Sequence, residues 1–172
     1  MSLLALPCPA HPEPVEGCFR TRDVLRKRSC REATPAQDER FRPIRLAGYA
    51  ALFHRRDAGG DIIQPGAFGA SLARRLDPLP LLWQHRPHLC IGRVERAEED
   101  GRGLRIIARL DRAGSRHAVL LRQGAVRGLS FGYRAKAYRS AGRDRVLSEI
   151  ELFEVSLVTD PLQPGARVHL IT

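Results

Sequence analysis

The chain has 172 residues, 43% of them hydrophobic, which suits one domain with a buried core. No apolar run approaches the roughly 20 residues that a membrane-spanning helix needs, and no basic segment precedes the short apolar stretch near Met1, so we expect neither a membrane span nor a signal peptide. The net charge of +10 is spread along the chain without a basic block or an aromatic ladder, which favours an ordinary arginine-rich surface over a specific nucleic-acid site.

The N-terminal segment differs in character from the rest of the chain. Residues 1–43 combine several prolines with mixed charges and show no sustained hydrophobic period. We therefore expect a disordered or non-native extension over 1–43 and a folded domain over 44–172.

The first half of this domain reads as a strand, a loop and a helix. IRLAGYAALF, from Ile44, has the composition of a strand and is followed by the loop HRRDAGGD. The Pro-Gly pair in IIQPGAF marks a turn. The segment AFGASLARRL has a helical period that would place Phe68, Leu72 and Leu76 on one face.

The second half is richer in strands. LPLLWQH is a short buried strand that Pro87 would end, and IGRVERAEED and GLRIIARL flank a predicted hairpin at Asp100-Gly101. AGSRHAVLLRQG reads as a helix that Gly124 stops. RGLSFGYRAKAY, RVLSEIELFEVSLV and ARVHLIT are three further strands. The order predicts a mostly β domain with flanking helices, arranged as a single, partly closed antiparallel β-barrel.

Ser130 lies in the strand GLSFGY, and its neighbours on one face of this strand are unusually small. Alternation places Ser130 on one face with Gly128 and Gly132, while Leu129 and Phe131 lie on the other. Small neighbours would let a peptide come within about 3–3.5 Å of the hydroxyl, as a nucleophile requires. The same pattern fits a strand that packs its small face against a helix, with the serine bonded to backbone.

His85 ends the apolar strand LPLLWQH. A histidine at the mouth of a buried strand is held firmly and stays accessible, and its ordinary pKa of about 6.5 suits a general base at neutral pH. The position also fits a structural or surface histidine. His88 makes a His-x-x-His pair with it, but no carboxylate or cysteine cluster completes a metal site, so we expect no metal and no cofactor.

A third group would have to orient the imidazole, and the strand SEIELFEVSLV offers Glu149, Glu151 and Glu154. Strict alternation places Glu154 on the face of Ile150, Leu152, Ser156 and Val158, which makes it the most enclosed of the three. A carboxylate within such an apolar run costs several kcal/mol unless it is paired. A histidine partner would account for Glu154, and so would a structural arginine.

The cysteines offer a competing nucleophile in the patterned region. Three of the four lie within residues 1–43, at spacings that fit neither a zinc knuckle nor a compact disulfide framework, so we expect an intracellular protein with free thiols. The fourth, Cys90, stands between two apolar residues. This context predicts a buried core thiol and argues against an activated one.

Taken together, the ordered motifs resemble the prohead (capsid-maturation) proteases of tailed bacteriophages and their prophage or gene-transfer-agent relatives. The resemblance covers residues 44–171 and rests on GYAALF with a downstream GDIIQPGAF, then LPLLWQH, IGRV, VRGLSFGY and ELFEVSLVTDPLQPGA. Residues 1–43 have no counterpart in it. The resemblance implies a fold similar to that of the herpesvirus assemblin proteases, a closed or nearly closed antiparallel barrel surrounded by helices.

The resemblance also implies a serine endopeptidase. Carried onto this sequence, the histidine of WQH is His85 and the serine of GLS is Ser130. Glu154, in FEVSLV, occupies the third place, where the herpesvirus relatives have a second histidine, and another acid remains an alternative there. A carboxylate can orient the imidazole as a histidine would, so this departure changes the type of triad and keeps the mechanism.

The substrate site follows from the same comparison and from the chemistry of peptide cleavage. The tetrahedral oxyanion needs backbone or arginine donors, which we expect in the loop over 160–167, with Arg167 as a candidate. Gly128 and Gly132 would leave room for an extended peptide that docks by strand addition.

The resemblance implies where such a protein acts and on what. Family members are packaged in the procapsid, within the bacterial cytoplasm, and cut the scaffold region of the major capsid protein and often themselves. The portal and a second copy of the chain are further possible partners, whereas we expect no membrane and no specific nucleic acid. A non-catalytic basic module that contacts scaffold or nucleic acid is the alternative, and a degenerate prophage protease is a third hypothesis.

Overall fold

The computed structural model describes residues 43–172, so the extension expected over 1–43 lies, apart from Pro43, outside the described residues. The described chain contains eight strands and two short helices. In chain order these are β1 (Ile44–Leu52), β2 (Asp61–Ile63), α1 (Gly69–Ala73), β3 (Pro80–Trp83), β4 (Arg86–Glu99), β5 (Gly103–Leu110), α2 (Arg116–Arg122), β6 (Gly128–Ala141), β7 (Asp144–Val158) and β8 (Val168–Ile171). Neither helix is long and apolar enough to cross a membrane.

The strands form one curled sheet in the order β2-β7-β3-β4-β5-β1-β8, and β6 lies along the other edge of β7. Backbone contacts bring the two ends of this sheet together: Gly128 bridges Arg167, and Leu129 N–H donates to Ala166 O at 2.9 Å. The prediction of a mostly β, partly closed barrel is confirmed. Most strand pairs are antiparallel as predicted, but β2 and β3 both run parallel to β7.

The two parallel strands occupy different stretches of one edge of β7, and α1 fills the gap between them. β2 pairs with residues 145–147 and β3 with residues 155–157. Between them, Leu152 N–H donates to Ser71 Oγ of α1 at 2.9 Å. Because the chain must cross from one end of β7 to the other through this short helix, the two strands keep the same direction.

The helix α1 is shorter than predicted. Phe68, just before it, is fully buried and its ring meets that of Phe131 edge-on, with centroids 5.4 Å apart. Leu72 packs partly against the same core. Leu76 is 99% exposed, so the prediction that it shares one face with Phe68 and Leu72 is wrong. The helix ends at Ala73, and the chain beyond it no longer follows the helical period.

A buried ionic cluster attaches β2 to the long hairpin of β6 and β7. Asp61 is 3% exposed, and its carboxylate accepts hydrogen bonds from Arg145 Nε at 2.7 Å and from the Tyr133 hydroxyl. Burial by itself would raise the pKa of Asp61, but the hydrogen bonds from Arg145 and Tyr133 outweigh it, so the pKa falls below its ordinary value. The carboxylate therefore stabilises the fold as an anion.

Replacing Asp61 by asparagine is expected to lower the free energy of unfolding at pH 7 by about 1–3 kcal/mol, since a buried charged hydrogen-bond partner is lost while Arg145 stays half exposed. The folded-state pKa lies below the unfolded value, so this stabilisation is complete above pH ~4 and is lost as the pH falls further. Urea unfolding of both proteins from pH 7 to pH 3 should show the difference narrowing.

The matched control for this prediction is Asp144→Asn. Asp144 forms an exposed pair with Arg56 at 2.6 Å, so its loss should cost less than about 1 kcal/mol. Equal losses in the two variants, or a difference that does not change with pH, would contradict the role assigned to Asp61.

Candidate active site

The pairing of β6 with β7 places two hydroxyls and a carboxylate on one face of the sheet. Ser130 lies directly opposite Ser156, and Gly132 lies opposite Glu154. Residues opposite each other in an antiparallel pair project to the same side. The intervening Leu129 belongs to the core, so Ser130 projects from the other face, as alternation predicts. Ser130 is 5% exposed and Glu154 is 9% exposed.

Because of a β-bulge in β7, Glu154 lies on the face of the sheet opposite to the predicted one. Strict alternation put Glu154 with Ile150 and Leu152, yet both of these lie in the core. The register shifts after the Gly132–Glu154 pair and leaves Phe153 as an extra, partly exposed residue. Because a bulge adds one residue to one strand, it reverses the alternation beyond it. Glu154 therefore lies on the outer face, opposite to that of Ile150.

His85 lies in a tight reversal between β3 and β4. Gln84 and His85 have φ angles of 53° and 55°, the left-handed region that side chains disfavour by about 1–2 kcal/mol per residue. Pro87 was predicted to end the preceding strand, but it is the second residue of β4, because the reversal is already complete at His85. Gln84 N–H donates to Leu157 O at 3.0 Å, which fastens the turn to β7.

The helix α2 supports the end of β3 just before this turn. The ring of His117 lies against that of Trp83, with centroids 4.6 Å apart. Burial, and to a lesser extent the charge of Arg116, lowers the pKa of His117, which keeps this imidazole neutral at pH 7. Trp83 also packs against the hydrophobic core, so the turn begins directly after a packed residue.

The imidazole of His85 and the carboxylate of Glu154 are in direct contact, with Nδ1 and Oε1 2.7 Å apart. An ionised carboxylate can only accept, so we assign the proton to Nδ1, which leaves a lone pair on Nε2. The His85 side chain is 41% exposed and that of Glu154 is 11% exposed. The pair therefore presents a neutral, accessible nitrogen backed by a shielded negative charge, which is the arrangement a general base requires.

Ser130 belongs to the same patch. The backbone N–H of His85 donates to Ser156 Oγ at 3.2 Å, and Ser156 is the cross-strand partner of Ser130. Within residues 43–172, no hydrogen bond joins the Ser130 hydroxyl to the imidazole. A catalytic contact is often long before substrate binds and tightens afterwards, so an unbonded hydroxyl is compatible with the role predicted for Ser130.

Gly132 makes room for the carboxylate. A Cβ atom at residue 132 would lie 2.7 Å from Glu154 Oε1 and 3.0 Å from its Cγ. Any side chain at this position would displace the group that bonds to His85. The close approach of Glu154 thus requires glycine at residue 132, in addition to the access for a ligand that the sequence suggested.

Gly128 and Arg167 meet at the beginning of β6. They form an isolated backbone bridge, and a Cβ at Gly128 would lie 2.6 Å from Val158 O and 2.9 Å from Pro161 Cδ. The loop after β7 therefore packs closely against the strand two residues before Ser130. Arg167 itself is exposed, and its part in binding an oxyanion stays a prediction.

The other acids considered for this site lie elsewhere. The side chains of Glu149 and Glu151 are 42% and 44% exposed, and they pair with Arg74 at 3.3 Å and Arg134 at 3.5 Å. Glu154 is the most enclosed of the three, as the sequence predicted, although on the opposite face.

Cys90 and His88 were the remaining candidates for chemistry. Cys90 is exposed and its thiol bonds to Gly92 O at 3.2 Å, so the prediction of a buried core thiol is wrong. The reason lies in the sheet: β4 pairs with β5 only from Gly92 onward, which leaves its first residues uncovered on that edge. His88 is exposed in the same stretch, and the described part of the chain has no cluster of ligands that could hold a metal ion.

The sequence does not single out Ser156 as a site residue, because alternation only places it on the strand face that it shares with Glu154. It is fully buried, and its hydroxyl donates to Glu154 Oε2 at 2.6 Å. Its position two residues after Glu154 was the available clue, because residues i and i+2 of a strand share a face.

Comparisons with known proteins identify relatives of this chain. The model of the family described as caudovirus prohead serine protease matches residues 32–172, so the match extends into the last part of the segment 1–43, which was expected to have no counterpart in the family. The prohead protease of Enterobacteria phage HK97 is 31% identical over 128 residues, which is 70% of this chain. The chain spans 57% of that relative's length.

Three viral proteases of known structure share the fold at low sequence identity. The KSHV protease, solved with a hexapeptide phosphonate inhibitor, has a TM-score of 0.54 at 12% identity and covers 76% of this chain and 65% of its own. The capsid assembly protease of bacteriophage T4 has a TM-score of 0.53 at 14% identity, with coverages of 68% and 82%. The varicella-zoster virus protease has a TM-score of 0.52 at 18% identity, with coverages of 74% and 64%.

Proposed function

Because the chain belongs to the caudovirus prohead serine protease family, we propose that it is a serine endopeptidase that cleaves the scaffold region of the major capsid protein, and itself, during head maturation. The observation that carries the proposal is the 2.7 Å bond between His85 Nδ1 and Glu154 Oε1, on the face from which Ser130 projects. The place of action would be the interior of the procapsid in the host cytoplasm. The portal and a second copy of the chain are further proposed partners.

The proposed reaction is acyl transfer through Ser130. His85 Nε2 takes the proton of the Ser130 hydroxyl as the oxygen attacks the scissile carbonyl carbon, and Glu154 stabilises the resulting imidazolium. The imidazolium then gives its proton to the leaving amine as the peptide C–N bond breaks. Water repeats the sequence on the acyl-enzyme and frees Ser130. Donors in the loop over 160–167, with Arg167 among them, would stabilise the oxyanion.

The open edge of β6 supports binding of an extended peptide. Leu129 N–H donates to Ala166 O at 2.9 Å, so the odd-numbered residues at this end of β6 direct their backbone groups away from β7. After Leu129, β6 pairs only with β7 among the described residues. A substrate strand added to this edge would bring its backbone beside Ser130.

The test is co-expression with the major capsid protein from the same source, followed by mass spectrometry of the capsid protein termini. The wild-type chain is expected to produce a shortened capsid protein with one defined new terminus, and the Ser130→Ala chain a full-length one. A full-length capsid protein with both chains would contradict the proposal and favour a binding role.

Gly132→Ala is expected to reduce kcat roughly 10- to 100-fold, because the added methyl group moves Glu154 away from His85 and misplaces the base. The displaced group is the end of a flexible side chain, so the variant should fold. Gly101→Ala is the matched control, since a Cβ there meets nothing within 4 Å. Peptide-cleavage kinetics and thermal unfolding separate the two effects, and a variant of Gly132 with native kcat would contradict the steric argument.

A further inference from the structure

We infer that Ser156 is a positioning residue, whose buried hydroxyl fixes the imidazole-bearing turn and the carboxylate of Glu154 relative to each other. The inference rests on the proposed function, since it assigns Ser156 a task in the action of His85 on Ser130. Ser156 does not contact the reacting atoms and acts through its two neighbours.

The donor and the acceptor in each hydrogen bond of Ser156 follow from the chemistry of its two partners. The backbone N–H of His85 can only donate, so Ser156 Oγ accepts from it at 3.2 Å. The carboxylate of Glu154 can only accept, so the hydroxyl proton of Ser156 goes to Oε2 at 2.6 Å. One fully buried hydroxyl thus joins the main chain of the proposed base to the acid that orients it.

The turn that carries His85 needs such an attachment. Gln84 and His85 both have positive φ angles, and non-glycine residues keep that conformation only where the surroundings enforce it. Their N–H groups donate to consecutive residues of β7, Gln84 to Leu157 O and His85 to Ser156 Oγ. Without the hydroxyl, the second of these two attachments is lost.

The carboxylate is held in the same way. Glu154 uses Oε1 for the imidazole and Oε2 for Ser156, so its plane cannot rotate without breaking one of the two bonds. Removing the hydroxyl leaves a buried carboxylate oxygen without its donor, and the side chain gains freedom to turn away from Nδ1. Loss of Ser156 should therefore disturb both partners of the His85–Glu154 bond.

The test uses the full chain and two readouts. The first is the rate of labelling by a fluorophosphonate, in which Ser130 Oγ bonds to phosphorus, fluoride leaves and His85 takes the proton. The second is the low-field proton NMR resonance of an imidazole Nδ1–H bonded to a carboxylate. Ser156→Ala is expected to slow labelling roughly 10- to 100-fold and to broaden or remove the resonance.

A matched pair of variants separates the hydroxyl from the shape of the side chain. Ser156→Thr keeps the hydroxyl, and Ser156→Val has the shape of the threonine side chain without the hydroxyl. The threonine variant should therefore give the labelling rate and the resonance of the wild type, and the valine variant those of Ser156→Ala. This pair also decides the question if the alanine variant does not fold. Ser148 lies in β7 like Ser156, and its exposed hydroxyl donates to Ala137 O of β6. Ser148→Ala removes this hydroxyl and should change neither readout.

The outcomes distinguish this inference from the proposed function. Wild-type labelling by Ser156→Ala, or equal labelling by the threonine and valine variants, would overturn the inference and leave the protease proposal intact. If the wild-type chain is not labelled at all, the protease proposal fails. The resonance still tests the geometry in that case, because its persistence in Ser156→Ala and Ser156→Val would overturn the inference.

Discussion

Replacing Ser130 by alanine is expected to reduce cleavage of the capsid protein by at least about 10⁴-fold, because the nucleophile of an acyl-transfer mechanism has no substitute in the site. The free energy of unfolding should change by less than about 1 kcal/mol, since no hydrogen bond of the Ser130 hydroxyl contributes to the fold among the described residues. Purified enzyme and a peptide that spans the mapped cleavage site provide the measurement.

Two control variants make this result specific. Ser140→Ala removes an exposed hydroxyl from the same strand and should leave cleavage unchanged. Cys90→Ala addresses the competing nucleophile, which the exposure of Cys90 has made a fair alternative, and it should also retain full activity. Cleavage that survives in Ser130→Ala and disappears in Cys90→Ala would assign the reaction to the thiol.

The sequence predicts the strands well where apolar alternation is strong and unbroken. β1 begins at Ile44 as expected, and the hairpin at Asp100-Gly101 closes with Asp100 N–H donating to Gly103 O at 3.0 Å. The helix α2 ends as expected, with Gly124 shortly after it at a φ of 74°. Each of these features depends on a few adjacent residues, which a local pattern can represent.

Most features that the sequence does not predict depend on which strand lies beside which. The bulge at Phe153 arises from the pairing of β7 with β6, and it moves Glu154 to the face opposite to the expected one. The early end of α1 at Ala73, which leaves Leu76 exposed, is the exception. The left-handed turn at His85 depends on acceptors from β7, more than 70 residues away along the chain.

The candidate site shows the same division between features that the local sequence predicts and features that depend on strand pairing. A histidine at the end of a buried strand and a serine among glycines are visible locally, and the motif order identifies them as candidates. Their convergence with Glu154 requires the register of β6 on β7, which places Gly132 opposite the acid and Ser156 opposite Ser130. Gly132 was predicted to admit substrate, and its close approach to Glu154 Oε1 adds a second reason for glycine.

Glu154→Gln is expected to lower kcat by roughly 10³- to 10⁴-fold. If the amide nitrogen faces His85, Nδ1 must accept and the proton moves to Nε2, which can then no longer take the proton of Ser130. If the amide oxygen faces His85, the tautomer survives, but the negative charge that stabilises the imidazolium is gone. Both arrangements weaken the base, and the first abolishes it.

The same variant should fold, because glutamine matches glutamate in shape and can still bond to Ser156. We expect the free energy of unfolding to fall by less than about 2 kcal/mol, so kinetics and urea unfolding together separate catalysis from stability. Glu151→Gln, in the same strand and 44% exposed at its side chain, is the matched control and should keep native kcat. A collapse in stability without a separable loss of kcat would make Glu154 a structural carboxylate, and a loss of kcat confined to Glu151→Gln would transfer the orienting role to that acid.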